Sequence, residues 1–242
     1  MGRHPAFGYF CSRFLHLQGM SVRNNLLNIR KSVPPHVKLI AVSKTMPESV
    51  IMEAYAAGQR AFGENKAQEM SAKQPHLPAD CEWHFIGHLQ TNKVKYIAPF
   101  VQMIHSVDSY KLLHEINKQA AKHNRIIPCL LQFYIAEEES KFGLDRAEAE
   151  ELFKTLMDNP LDNILIAGVM GMATFTENMQ QVRKEFANLR NIFEWLKKTY
   201  FADKESFKEI SMGMTGDYLV AIEEGSTMVR IGSAIFGERN YK

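Results

Sequence analysis

Eight times between residues 38 and 232 a short apolar run gives way to an amphipathic stretch, and this alternation constrains the fold more than any other feature. The apolar runs fall at 38–43, 60–63, 83–87, 101–105, 127–135, 164–171, 208–212 and 228–232. The first, within Val37–Thr45, is partly β-branched and reads as a strand buried on both faces. Eight β-α steps in about 220 residues is the count for a single closed (β/α)₈ TIM barrel, near the lower end of its usual size. An open doubly wound sheet is the runner-up. No G-x-G-x-x-G follows an early strand and no Walker-type loop occurs, so the barrel leads.

The helical segments carry their own signals. A first helix is expected at 21–32, ahead of Pro34-Pro35, and a second between Pro47-Glu48 and Gly58. Residues 109–122 place Leu112, Leu113, Ile116 and Ala120 on one stripe. Asp145, with Glu148 three residues on, predicts a capping box for a helix through Met157. At 180–198, Val182, Phe186, Leu189, Phe193 and Leu196 recur at helical spacing.

Composition narrows the class. A chain of 242 residues, 45% hydrophobic and without a long Pro/Gly/Ser linker, supports one sizeable domain. Cys11, Cys81 and Cys129 are too widely spaced for a disulfide framework or a metal motif, and a reducing cytoplasm fits them best. No apolar run approaches a membrane span. Residues 1–19 hold Arg3 and Arg13 but no acid; without those two, 27 basic residues face 27 acidic ones. The tail reads as a targeting peptide, a disordered extension, or upstream sequence ahead of a start at Met20. Its short, interrupted apolar stretch favours the latter two. A neutral body argues against nucleic acid, which calls for a basic stripe.

A barrel concentrates its active site at the carboxyl ends of its strands, often with a phosphate held after strands seven and eight. Lys44 closes the first strand there, facing the loop into a helix. Partial desolvation at such a place lowers an ammonium pKa and frees the amine that condenses with a carbonyl. The alternative is a lysine that snorkels to solvent. At the other end of the chain, Ser211 and Ser233 supply hydroxyls, while Gly213 and Gly232 allow backbone N–H groups close to an anion. Ser233 would open a short helix whose amino terminus favours a phosphate. Two ordinary capped turns would use the same residues, but two such turns at adjacent final strands point to phosphate. Arg230, between Val229 and Ile231, is expected to face the barrel mouth, where a buried guanidinium needs an acceptor.

Lys44 in AVSKT, the FGEN segment, WHFIGHLQTNK and SMGMTGDYLVAIEEGSTMVRIGSAIFG together resemble the YggS/PROSC family. These are pyridoxal-phosphate-binding homeostasis proteins built like the amino-terminal barrel of alanine racemase. The resemblance runs from about Met20 to the end of the chain. It implies that Lys44 carries pyridoxal 5′-phosphate covalently as an internal aldimine. It implies a phosphate cradle of Ser211, Gly213, Gly232 and Ser233, Arg230 facing the pyridine nitrogen, and Asn65 near the ring. His84 is expected in the barrel mouth near the cofactor. Lys141 in ESKFG fits the family's loop lysine, with a solvated surface lysine as the other reading. His88 stands where many members carry proline and is assigned no role. Phe133-Tyr134 replaces a polar pair often found on strand five, which puts substrate contacts from that strand in doubt.

The implied chemistry favours a carrier over a catalyst. A guanidinium only donates, so the pyridine nitrogen facing it stays unprotonated and the electron sink is weakened. Racemisation also needs a second base across the ring. The barrel is expected to take up the chain through Tyr241-Lys242, leaving racemase activity residual at most. A metal site from Cys81, Glu82, His84 and His88 has poor ligand geometry. A cofactor-free Schiff-base aldolase using Lys44 is the stronger rival. The expectation is a cytoplasmic, monomeric protein that buffers pyridoxal phosphate and delivers it to apo-enzymes.

Overall fold

The computed structural model describes residues 21–137 and 143–237. Within them eight parallel strands close into a barrel in chain order. The strands are β1 (Lys38–Val42), β2 (Ala61–Glu64), β3 (Glu82–Phe85), β4 (Met103–Val107), β5 (Ile127–Tyr134), β6 (Ile164–Met172), β7 (Glu209–Ser211) and β8 (Met228–Ile231). The barrel closes by pairing β1 with β8, Leu39 opposite Val229 and Ile40 opposite Arg230. The fourth strand begins two residues later than the apolar pattern suggests. Val101 is buried but precedes the strand, and Gln102 N–H donates to Trp83 O to start the pairing.

Helix α1 (Val22–Ser32) precedes the first strand, and a helix follows each strand. They are α2 (Glu48–Ala56), α3 (Ala67–Lys73), α4 (Val94–Ile97), α5 (Tyr110–Lys122), α6 (Arg146–Asp158), α7 (Met179–Tyr200), α8 (Tyr218–Glu223) and α9 (Ser233–Phe236). The capping box opens α6: Glu148 N–H donates to Asp145 Oδ1 at 2.8 Å, and Asp145 N–H to Glu148 Oε2 at 2.9 Å.

Alternation along the strands sorts the core into two layers. Ile40, Ala61, Met103, Leu130, Ala167, Met170 and Met228 form a cluster of their own inside the barrel. The neighbouring residues on each strand, such as Leu39, Ala41, Phe62, Trp83 and Val229, join the larger cluster under the helices. A register shift on β6 lets β7 approach closely. A Cβ at Gly168 would lie 1.8 Å from Glu209 O, so only glycine fits. Among the described residues no helix is long and apolar enough to cross a membrane. The expectations for residues 1–19, Lys141 and Tyr241-Lys242 lie outside the described residues.

Candidate active site at the carboxyl end of the barrel

A cavity of about 590 Å³ opens at the carboxyl ends of the strands. That volume lies within the range of small-molecule sites. Its lining comes from the ends of β1, β2, β3, β5, β6 and β8 and the loops beyond them, including Lys44, Asn65, Gln132, Thr215, Gly216, Arg230, Gly232 and Ser233.

Lys44 is half-buried at the end of β1. The next residue, Thr45, has φ 65°, a left-handed conformation that a β-branched residue adopts only when its surroundings hold it. Thr45 N–H donates to Glu69 Oε1 at 2.6 Å, and Met46 N–H to Ser43 O at 3.0 Å. Behind the turn Lys73 Nζ donates to Ser43 O (2.9 Å), Glu64 Oε1 (2.9 Å) and Glu69 Oε1 (2.6 Å). Lys73 is 7% exposed and Glu64 not at all. Burial pushes the Glu64 carboxyl up and the Lys73 ammonium pulls it back. This buried ion pair fixes the turn that aims Lys44.

Arg230 on β8 is 4% exposed, and its partners are neutral: Nη1 donates to Ser211 Oγ at 2.6 Å and Nη2 to Gly171 O at 3.1 Å. Burial pulls its pKa down to about 10, with Asp217 acting in the opposite direction, so it stays charged near neutral pH. The protein thus supplies some of the acceptors that the sequence argument assigned to a ligand.

The loops after β7 and β8 meet at the rim. Ser233 Oγ donates to Thr215 Oγ1 at 3.3 Å. Among the described residues, the N–H groups of Thr215, Gly216, Ser233 and Ala234 meet no backbone acceptor. Asp217 begins α8 and accepts from Met214 N–H at 2.5 Å, folding the loop back; burial pushes its carboxyl up. On the opposite wall, buried Glu185 of α7 anchors the loop after β6 by accepting from Thr174 N–H and Thr174 Oγ1, both at 2.7 Å.

The profile of the family "Alanine racemase, N-terminal domain" matches residues 19–240. The chain belongs to this family. Among its relatives, a pyridoxal phosphate homeostasis protein of Aquifex aeolicus is 42% identical over 205 residues, covering 84% of this chain and 88% of the relative. A protein of the same name from Bos taurus is 38% identical, covering 84% and 78%. PipY of Synechococcus elongatus, solved with PLP bound, is 36% identical with a TM-score of 0.80, covering 89% of this chain and all of PipY. Alanine racemase from Bacillus anthracis, at 16% identity and TM-score 0.69, shares the fold over 91% of this chain and 56% of its own.

Within this family fold, the expected site residues divide into two groups. Lys44, Asn65, Arg230, Gly232 and Ser233 line the cavity together. Ser211, Gly213 and His84 do not. Ser211 is fully buried below the cavity floor, where its hydroxyl meets Arg230 and His105. Gly213, at φ 95°, makes the turn out of β7; a Cβ there would lie 2.6 Å from Ala221 Cβ. Thr215 and Gly216, two and three residues further on, reach the rim in their place. His84 points inward from the middle of β3, and its Nδ1 lies 3.0 Å from His105 Nε2. The side-chain period of two on β3 puts Ile86, not His84, at the mouth.

Several lining residues lay outside the sequence reading of the site, among them His88, Gln132, Thr215 and Gly216. His88 is exposed at the rim with Nδ1 3.8 Å from Asp108. Gln132 supplies a polar contact from β5 although Phe133 turns outward into the core. Thr215 was visible in the motif but overshadowed by the serines. Among the described residues no group of three His, Cys, Asp or Glu side chains is arranged to hold a metal ion.

Proposed function

We propose that this cavity holds pyridoxal 5′-phosphate, covalently attached through Lys44 Nζ, and that the protein acts in pyridoxal phosphate homeostasis. The observation that carries the reading is the convergence of three donor types on one cavity: a primary amine, a buried guanidinium and a rim of hydroxyl and N–H groups.

Each matches one part of the cofactor. An aldehyde needs an amine, and Lys44 offers one from a rigid turn. A phosphate needs N–H and O–H donors, and Thr215, Gly216, Gly232 and Ser233 present them without a Cβ obstructing the two glycines. An aromatic nitrogen that accepts a hydrogen bond suits a donor-only guanidinium, so Arg230 would hold it unprotonated. When bound, the cofactor supplies an electrophilic carbon conjugated to that ring. Asn65 and Gln132 offer polar contacts to the ring substituents, and the Glu185-anchored loop covers the remaining side.

Holding the ring nitrogen unprotonated suits storage better than carbanion chemistry. We read the protein as a cytoplasmic monomer that binds a reactive aldehyde reversibly and passes it to apo-enzymes. Cys81 and Cys129 are free, buried thiols, which agrees with a reducing compartment. The homeostasis names of relatives at 38–42% identity support the same reading. The test is a titration with pyridoxal phosphate, followed by mixing with an apo-aminotransferase in the presence of a phosphatase that destroys free cofactor. Recovery of aminotransferase activity faster than free cofactor allows supports delivery. Saturable visible absorbance with no protected transfer would leave binding intact and refute delivery; no absorbance change would refute both.

A further inference from the structure

One row of buried polar groups crosses the barrel beneath the cavity and remains unused by the cofactor reading. It runs from Arg230 Nη1 to Ser211 Oγ (2.6 Å), from Ser211 Oγ to His105 Nδ1 (2.9 Å), and from His105 Nε2 to His84 Nδ1 (3.0 Å). His84 Nε2 then faces Glu82 Oε2 at 3.9 Å, too far for a hydrogen bond, and Glu82 pairs with Lys38 at 2.5 Å. His84 also lines a second cavity of about 500 Å³ at the amino-terminal end of the barrel, with His36, Lys38, Glu209 and Thr227. The row therefore joins the two ends of the barrel through its core.

The chemistry of its ends fixes its direction. A guanidinium can only donate, so Ser211 Oγ accepts from Arg230. Ser211 is fully buried and, among the described residues, its hydroxyl meets no acceptor other than His105, so its proton goes to His105 Nδ1. That leaves the His105 proton on Nε2, where it is donated to His84 Nδ1. The His84 proton is then on Nε2, aimed at the Glu82 carboxylate, which only accepts. Reversing any link would leave the Ser211 proton without an acceptor or set a nitrogen lone pair against Glu82. The guanidinium imposes this order, and the charge of the Glu82 carboxylate beyond His84 Nε2 favours the same one.

We propose that His105 and His84 are positioning residues for Arg230, a directional hydrogen-bond relay that sets the guanidinium in the cavity and ends at His84 Nε2, which faces the Glu82–Lys38 pair at the opposite end. Burial pushes both imidazoles down, so the two rings are uncharged near neutral pH. The charged groups around it are Lys38, Glu82 and Glu209 at the base, and Arg230 with Asp217 at the top. The relay itself stands on the protein geometry alone. Its consequence for cofactor binding rests on the role given to Arg230 above.

The experiment reads the full-length protein first without cofactor, by side-chain ¹⁵N NMR of histidine and arginine. The expected spectrum has His84 and His105 each protonated on Nε2 and bare on Nδ1. Arg230 should give slowly exchanging guanidinium signals that collapse in His105→Leu. His105→Gln, whose carbonyl can accept from Ser211 while its amide donates to His84, should restore them. With pyridoxal phosphate, His105→Leu should bind roughly tenfold more weakly, with the bound chromophore now titrating, while His105→Gln stays close to wild type. A proton on Nδ1 of either ring would overturn the relay. So would Arg230 signals indifferent to His105→Leu. Should that variant fail to fold, the wild-type tautomers and the glutamine variant decide. If the wild type takes up no pyridoxal phosphate, the cofactor reading falls and the Arg230 signals still judge the relay.

Discussion

Replacing Lys73 by methionine should destabilise the protein in a pH-dependent way, through Glu64. Methionine keeps most of the packing volume but removes the ammonium that donates to Ser43 O, Glu64 Oε1 and Glu69 Oε1. Glu69 is partly exposed and can turn to water, with 22% of its side chain accessible. Glu64 is fully buried, its Oε2 has no partner among the described residues, and only the Ser43 hydroxyl at 2.7 Å would remain on Oε1. Stranding a buried charge costs about 3–5 kcal/mol. The escape route is protonation, which for a carboxyl with an ordinary pKa of 4.5 costs about 3.4 kcal/mol at pH 7 but under about 1 kcal/mol at pH 5. The sign follows from the raised folded-state pKa. The native protein binds the proton more tightly than the unfolded chain, so stability is lost as pH rises from 4.5 through the folded value. Removing Lys73 extends that window upward. The expected loss is about 3 kcal/mol at pH 7, or about 6–12 °C in Tm, shrinking to about 1 kcal/mol at pH 5. Urea unfolding followed by fluorescence of buried Trp83 measures it. Adding Glu64→Gln should recover most of the loss at pH 7. An equal loss at both pH values would refute the argument, since it would mean that lost packing, not a stranded carboxylate, sets the cost.

Two further outcomes follow from the same physics. Gly216→Asp should leave stability within about 0.5 kcal/mol of wild type, because a Cβ there meets nothing within 4 Å, yet weaken pyridoxal phosphate binding by about 100-fold by setting a carboxylate beside the phosphate site; calorimetric melts and an absorbance titration check the two halves. His84 and His105, both held below 6.5 by burial, contribute stability that is full above pH 6.5 and lost as pH falls through the window beneath it. Each should add up to about 1.4 kcal/mol per pH unit to the acid slope, and the double variant His84→Gln/His105→Gln should flatten the urea-unfolding profile by the sum of the two, up to about 2.8 kcal/mol per pH unit.

The barrel was legible because the strands are buried on both faces over most of their length and the longer helices carry a stripe, so hydrophobic runs mark both. Pro34-Pro35, Pro47-Glu48 and Asp145 with Glu148 fall where α1 ends and where α2 and α6 begin, and the stripe at Leu112–Ala120 lies within α5. Lys44, Arg230, Gly232 and Ser233 were readable for the same reason: they sit at the carboxyl ends of terminal strands, where a barrel gathers its site. The resolution lost was a few residues along the chain, from the strand end to the loop beyond it. Ser211 belongs to the strand and therefore to the floor, while Thr215 and Gly216 belong to the loop and reach the rim. His84 and His105 face inward by the same alternation as Met103, so their burial was predictable, but their meeting across β3 and β4 depends on register. The Lys73–Glu64 pair was hidden more deeply. It joins α3 to the ends of β1 and β2, and a lysine closing a short helix ordinarily reads as a favourable C-terminal charge in solvent.

The account turns on Lys44, and one measurement addresses it most directly. Wild type and Lys44→Ala are incubated with pyridoxal phosphate, reduced with borohydride, digested, and mapped by mass spectrometry. The account predicts a yellow wild type that is bleached by borohydride, with a single reduced adduct on the peptide containing Lys44, and a Lys44→Ala protein that stays colourless and unmodified. An adduct on Lys73 or scattered over surface lysines, unchanged in Lys44→Ala, would contradict it.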